Sequence, residues 1–230
     1  MKKLGILGGM GPLATCDLFK KVVENTRADC DNAHIHVIID NNSAIPDRTA
    51  AILKGGADPL PRMRESLQRL TEAGAEVVIM GCNTAHYFYD PLQENCTVEF
   101  LHMPRETMAY LKAKGIKKAG LLATSGTIQS GIYHKAAEDF GISLAVPTGE
   151  ALDAVMGIIY DGVKAGKMDY DPTAFKAAVQ SLFDEGAETM ILGCTELPLA
   201  MDIFHLDFSA ADPTLILAQA AIRACGYECK

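Results

Sequence analysis

Positive charge is scarce in this chain. The 21 Lys and Arg residues against 29 Asp and Glu leave a formal charge of −8, and the basic runs are short pairs such as Lys2-Lys3, Lys20-Lys21 and Lys117-Lys118. A general nucleic-acid or membrane-headgroup surface is therefore excluded, and an anionic ligand would need cations supplied locally. Long apolar runs are also missing. No segment approaches a membrane span, and Met1-Lys2-Lys3 leads directly into a strand-like Leu4-Gly5-Ile6-Leu7 instead of the apolar region of a signal peptide, so a cytoplasmic location is expected. The seven cysteines are odd in number and carry no secretory signal, which makes free thiols the expectation rather than a disulfide framework. The six histidines show no H-x3-H spacing, and Cys225 and Cys229 have no second Cys/His pair to complete a zinc site, so they read as structural and no metal is expected. Low-complexity stretches and linkers rich in Pro, Gly or Ser are absent.

What is present is an ordinary globular composition, 49% hydrophobic and 22% charged, in 230 residues. At roughly 100 to 150 residues per unit this suits two modest lobes. Strand-like and helical runs alternate, the pattern of parallel α/β units. In the first lobe strands are expected at Lys3 to Gly9, His34 to Asp40, Glu76 to Gly81 and Val98 to His102, with helices near Leu13 to Asn25 and Leu60 to Ala73. In the second, strands are expected at Lys117 to Thr124, Ser143 to Pro147, Thr189 to Gly193 and Phe204 to Phe208, with helices near Ser130 to Phe140, Ala151 to Ala165 and Thr173 to Glu185. The expected fold is α/β: two pseudosymmetric lobes, residues 1–104 and 105–210, each a mostly parallel four-stranded sheet flanked by helices. Thr107 to Gly115 forms the link, as a helix, and the last helix, within 211–230, returns to pack on the first lobe.

The most informative feature is a motif that occurs twice. Gly81-Cys82-Asn83-Thr84 and Gly193-Cys194-Thr195-Glu196 each end an apolar run, and the runs align without a gap: Gly74, Ala75, Glu76, Ile79 and Gly81 fall on Gly186, Ala187, Glu188, Ile191 and Gly193. This is an internal duplication. A single cysteine at a crowded strand end reads as a small core residue. Two at equivalent positions, each followed by hydroxyl or amide side chains, read as opposed acid/base groups, which inversion of a stereocentre needs. A helix N-terminus beside each thiol would lower its pKa, while an ionised Glu196 would oppose ionisation of Cys194.

Open parallel sheets bind ligands beyond the carboxyl ends of their strands, and the other motifs lie at such ends, placing the expected site in the interlobe cleft. Gly9-Met10-Gly11-Pro12-Leu13-Ala14 is a formal G-x-G-x-x-A match, with Asp40 as a late acidic partner. It suits a ligand carboxylate as well as a dinucleotide. Arg48, in Ser43 to Thr49, is either a solvated loop residue or a bidentate carboxylate partner. Thr124-Ser125-Gly126-Thr127 serves as an N-cap, an oxyanion-binding loop, or both. Lys164 by itself reads as a solvated helix end. His86, one helical turn after Cys82, can reach back to it, yet Pro198 takes the equivalent place in the second lobe, which favours a structural or tuning role.

Taken together, the Gly-Gly-Met-Gly-Pro start, Pro46-Asp47-Arg48-Thr49, Gly81 to His86 and Gly193 to Glu196 resemble the cofactor-independent aspartate/glutamate racemase superfamily over essentially the full length, most closely its aspartate racemases. The resemblance implies racemisation of aspartate without pyridoxal phosphate or any other cofactor, usually by a homodimer, with Cys82 and Cys194 as the two acid/base groups. It implies that Arg48 and Lys164 meet the side-chain carboxylate and that Asn83, Thr84, Thr127 and Thr195 surround the α-amino and α-carboxylate groups. Met10, Thr124 and Glu196 complete the expected substrate-contacting set. A broader racemase that also takes glutamate, or a non-catalytic two-lobed binder of an acidic metabolite, are the alternatives.

Overall fold

The computed structural model describes residues 1–94 and 96–230. The chain divides into two compact units, one made of Met1–Glu106 with Thr214–Lys230 and the other of Thr107–Pro213. The division falls inside the helix Met103–Ala113.

The first unit is built on a sheet of β1 (Leu4–Gly8), β2 (Val37–Asn41), β3 (Val77–Met80) and β4 (Glu99–Phe100), in the order β2-β1-β3-β4 with every pairing parallel. β1 and β3 are buried along their whole length, the condition of central strands covered on both faces, which is why they read as unbroken apolar runs. Their side chains alternate between two cores with the period of two that a pleat imposes. Leu4, Ile6, Val77 and Ile79 pack with Leu18 and Val22 of the helix Pro12–Asn25 and with Leu217, Ala218, Ala221 and Ile222 of the helix Pro213–Ala224. Leu7, Val78 and Met80 pack with Met63, Leu67 and Leu70 of the helix Leu60–Glu72 on the opposite face.

In the second unit β5 (Lys118–Leu122), β6 (Ser143–Ala145), β7 (Thr189–Leu192) and β8 (Ala210–Ala211) repeat that plan in the order β6-β5-β7-β8, again all parallel. The duplication extends to individual contacts. Gly74 and Gly186 both turn into the third strand of their sheet at φ 92°, a left-handed angle that glycine adopts without a Cβ penalty. The glutamate two residues later caps the first strand in both units: Glu76 accepts from the Lys3 amide at 3.1 Å, and Glu188 accepts from those of Lys117 and Lys118 at 2.8 and 3.0 Å.

Two expectations in the second unit need correction. The alternating Phe204, Leu206 and Phe208 do not form a strand, and the fourth strand is Ala210–Ala211. The helix Glu196–Ile203 uses up the amides that a ladder would need: Phe204 donates to the Ala200 carbonyl, His205 to Asp202 and Leu206 to Met201. With His205 at φ 47° this is a Schellman-type helix end, made without the glycine that usually marks one. The helix expected near Ser130 to Phe140 is present as Ile132–Phe140, with a separate short helix, Ser125–Gln129, before the turn at Gly131, φ 70°. The helix expected over Ala151 to Ala165 is α-helical over Gly149–Gly157 and continues as a π-helix over Ile158–Lys164.

Gly9 is the least replaceable backbone position. It sits at φ 89°, and a Cβ there would collide with the backbone of Asn42. Gly9→Ala is expected to destabilise the protein by about 1–3 kcal/mol from backbone strain, with the steric clash in addition. A urea-unfolding midpoint unchanged from wild type would contradict this.

Candidate functional site

In the first unit the motif residues gather at the carboxyl ends of β1, β2 and β3. The loop after β1 is folded by Thr15, whose hydroxyl accepts from the Gly9 amide at 2.9 Å and donates to the Gly11 carbonyl at 3.0 Å. Thr15 carried no motif of its own in the sequence. The conformation of Gly9 and the close approach of Asn42 account for the glycine without a phosphate. Asp40, the acidic partner that a dinucleotide reading needs, is paired with Arg69 at 2.8 Å. Gly9 is therefore explained by the packing of its own loop, whereas a Cβ at Gly11 would meet nothing within 4 Å.

Arg48 opens the helix Arg48–Lys54, which Asp47 caps by accepting from the Ala50 amide at 2.6 Å. Its guanidinium donates to three backbone carbonyls, those of Met10 at 3.3 Å, Ile45 at 3.3 Å and Pro46 at 3.0 Å. This ties the loop after β2 to Met10 in the loop after β1. The Arg48 Nε is buried and has no hydrogen-bond partner, a donor in excess of what the protein satisfies.

Beyond β3, Cys82 is 7% exposed, and Asn83, Thr84 and His86 are buried with it at the start of a 3-10 helix over Thr84–Phe88. His86 does turn back toward Cys82, but to its backbone: Nδ1 lies 2.9 Å from the Cys82 carbonyl, while Nε2 accepts from the Met103 amide at 3.1 Å. Because Nε2 is an acceptor, Nδ1 must carry the proton and donate. The ring is therefore a neutral strut between the end of β3 and the first turn of Met103–Ala113. Burial and then the neighbouring His102 push its pKa down from 6.5 to about 3.

The second unit gathers its motifs at the ends of β5 and β7. Thr124 caps the helix Ser125–Gln129 by accepting from the Thr127 amide at 3.3 Å, and the two hydroxyls lie 3.2 Å apart. Past β7, Cys194 is 7% exposed, like Cys82. Its thiol donates to Glu196 Oε2 at 2.9 Å, the Thr195 hydroxyl donates to the same oxygen at 3.1 Å, and Lys164 Nζ stands 3.7 Å from Oε1. Lys164, at the end of the π-helix, also lies over the Tyr160 ring at 4.5 Å. The helix N-terminus does act on this thiol, through the Glu196 amide, and Glu196 opposes ionisation as expected, but the net effect is the reverse of acidification. Burial first, and then the Glu196 carboxylate, raise the Cys194 pKa well above the ordinary thiol value, with Lys164 and the Glu196 amide opposing. Tyr133, fully buried and hydrogen-bonded to Thr107, is close enough to Cys194 to feel its charge, and nothing in the sequence marked it.

Within the first unit, then, Met10 meets Arg48, and Cys82, Asn83 and Thr84 are consecutive at one strand end. Within the second, Thr124 and Thr127 form one cluster, and Lys164, Cys194, Thr195 and Glu196 form another. Among the described residues no three His, Cys, Asp or Glu side chains converge as a metal ion would require, and no helix is long and apolar enough to cross a membrane.

The neutral strut has a measurable cost in acid. Between pH 6.5 and about 3 the unfolded chain binds a proton at His86 that the folded chain refuses, so stability falls as pH falls, by up to about 1.4 kcal/mol per pH unit from this residue. His86→Gln is expected to flatten the decline of the melting temperature between pH 6.5 and 4. A slope equal to that of wild type would refute the assignment.

Comparison with known proteins covers both units. The family described as Asp/Glu/Hydantoin racemase matches residues 7–223. The chain is 26% identical over 235 residues to a broad specificity amino-acid racemase of Bacillus subtilis (strain 168), spanning 95% of this chain and 96% of that one. Among solved structures it is similar to an aspartate racemase of Picrophilus torridus, with a TM-score of 0.83 and 30% identity over 100% of this chain and 96% of that one. A glutamate racemase of Francisella tularensis, in complex with D-glutamate, shares the fold, with a TM-score of 0.68 and 18% identity over 97% of this chain and 80% of the other. Since the matched segment takes in both Gly-Cys motifs and all eight strands except the first residues of β1, the chain belongs to the Asp/Glu/Hydantoin racemase family.

Proposed function

We propose that this protein racemises aspartate without a cofactor, by proton transfer between the two faces of the α-carbon through Cys82 and Cys194. The observation that carries this is the equivalence of the two thiols. Each stands two residues beyond the third strand of its sheet, in sheets of the same strand order, and each is nearly buried. In this reading the two thiols act on opposite faces of one bound amino acid. One thiolate removes the α-proton, breaking C–H and forming S–H. The opposite thiol gives its proton to the other face of the carbanion, and the roles exchange in reverse. Charge that builds on the α-carboxylate is stabilised by hydroxyl and amide donors at Asn83, Thr84, Thr127 and Thr195, which gain most in the transition state.

The side-chain carboxylate is assigned to Arg48 and Lys164. The unpaired, buried Nε of Arg48 supports this, since a carboxylate is the acceptor that a guanidinium edge fits best. Similarity to the Picrophilus aspartate racemase over nearly the whole of both chains favours aspartate. Similarity to the broad specificity racemase of Bacillus subtilis favours a second reading in which glutamate and other amino acids are also accepted. A homodimer in the cytoplasm is the working form we assign, and light scattering in solution tests the dimer.

The first experiment is proton NMR of the purified protein with L-aspartate in deuterated, reducing buffer, with optical rotation followed in parallel. Loss of the α-proton signal together with loss of rotation is the expected result, and retention of both would reject aspartate. Cys82→Ser and Cys194→Ser are each expected to lower racemisation about 10²–10⁴-fold, the usual contribution of a positioned acid or base, while still exchanging the α-proton of one enantiomer. Full activity in either variant would defeat the two-thiol mechanism. Arg48→Ala is expected to reduce kcat/KM for aspartate about 10- to 100-fold and to affect alanine much less. An equal loss on both substrates would remove its side-chain role.

A further inference from the structure

The two thiols are not equivalent in their surroundings. Thr84 occupies in the first unit the place that Glu196 has in the second, so a carboxylate was brought to one cysteine of the duplication only. At Cys194 the Sγ–H···Oε2 distance of 2.9 Å is short for a sulfur donor, and the Thr195 hydroxyl fixes the same oxygen at 3.1 Å. The side chain of Glu196 is only 15% exposed, which leaves its charge poorly screened by water.

We infer that Glu196 is a positioning residue that holds Cys194 as the protonated partner of the resting enzyme, so that Cys194 is the proton donor and Cys82 the acceptor when a turnover begins. The inference rests on the two-thiol reading. Two charged side chains bear on this thiol, Glu196 at the start of its own helix and Lys164 from the π-helix; the thiol in turn acts on Tyr133 of the helix Ile132–Phe140, as does Asp212 after β8. Lys164 and the Glu196 amide favour the thiolate, and Lys164 pairs with Oε1, the carboxylate oxygen that does not hold the thiol. Lys164 is also the cation assigned to the substrate's side-chain carboxylate. An arriving dicarboxylic acid therefore competes with Glu196 for one ammonium group, and it meets a thiol still carrying its proton.

The test reads the thiol directly and needs no catalysis. The ligand-free, full-length protein is treated with iodoacetamide between pH 6 and 10, and alkylation of Cys194 and Cys82 is followed by peptide mass spectrometry. Glu196→Gln is expected to move the midpoint of the Cys194 profile to lower pH. A shift of one unit makes about tenfold more thiolate, each about threefold less nucleophilic, so the rate at neutral pH rises about threefold. The Cys82 rate in the same samples serves as the internal reference and is expected to stay unchanged. Lys164→Met is expected to act in the opposite direction, slowing Cys194, a reversal that general loosening of the fold would not produce. An unchanged or upward-shifted Cys194 midpoint in Glu196→Gln would overturn the inference. If that variant does not fold, Lys164→Met decides: a slower Cys194 sustains the inference, and an unchanged one overturns it. Failure of the racemase reading itself is seen separately, as retention of the α-proton by the wild-type protein.

Discussion

Parallel pairing of two fully buried strands, β1 with β3 in one unit and β5 with β7 in the other, is the constraint from which the candidate site follows. A central parallel strand has both faces covered, so its side chains cannot carry polar chemistry. Its backbone groups are consumed by neighbours on either side, and only the residues just beyond its carboxyl end are free to turn toward a ligand. Cys82 and Cys194 occupy that position. Gly193 is required by packing, since a Cβ there would collide with Leu121 and crowd Ala123, while one at Gly81 would press only on a Leu18 methyl at 3.2 Å, which has to give by a few tenths of an ångström. The sheets thus fix where the thiols stand, and short turns of helix fix what stands beside them.

Much of this was legible in the sequence because it is local and periodic. The buried strands announce themselves as apolar runs, and the duplication is visible because packing preserved glycines, alanines and a capping glutamate at matching positions. The errors lie where a backbone did something its residues do not advertise. His205 closes a helix in a conformation that glycine normally supplies, so Phe204, Leu206 and Phe208 mimicked the alternation of a strand while serving as core contacts. The π-helical turn before Lys164 has no compositional mark. Tyr133 and Thr15 are ordinary residues in helices, and only tertiary contact brings one near Cys194 and the other onto the Gly9 loop.

The two copies have also diverged in instructive ways. His86 is spent on two backbone groups in the first unit, and the second unit places Pro198 there, which can make neither contact. The carboxylate of Glu196 has no counterpart beyond β3. A duplicated scaffold has therefore kept its thiols while giving each a different environment.

The return of the helix Pro213–Ala224 to the first unit bears on how the protein is made. All the residues of the second unit precede Thr214, whereas the first unit still lacks that helix when Pro213 is added. Until then Leu4, Ile6, Val77 and Ile79 have no cover from Leu217, Ala218, Ala221 and Ile222 on one face of their sheet. During synthesis, then, the half of the protein begun first is the half completed last, and its oily sheet face waits on the ribosome for the closing segment, a period in which chaperones have something to hold.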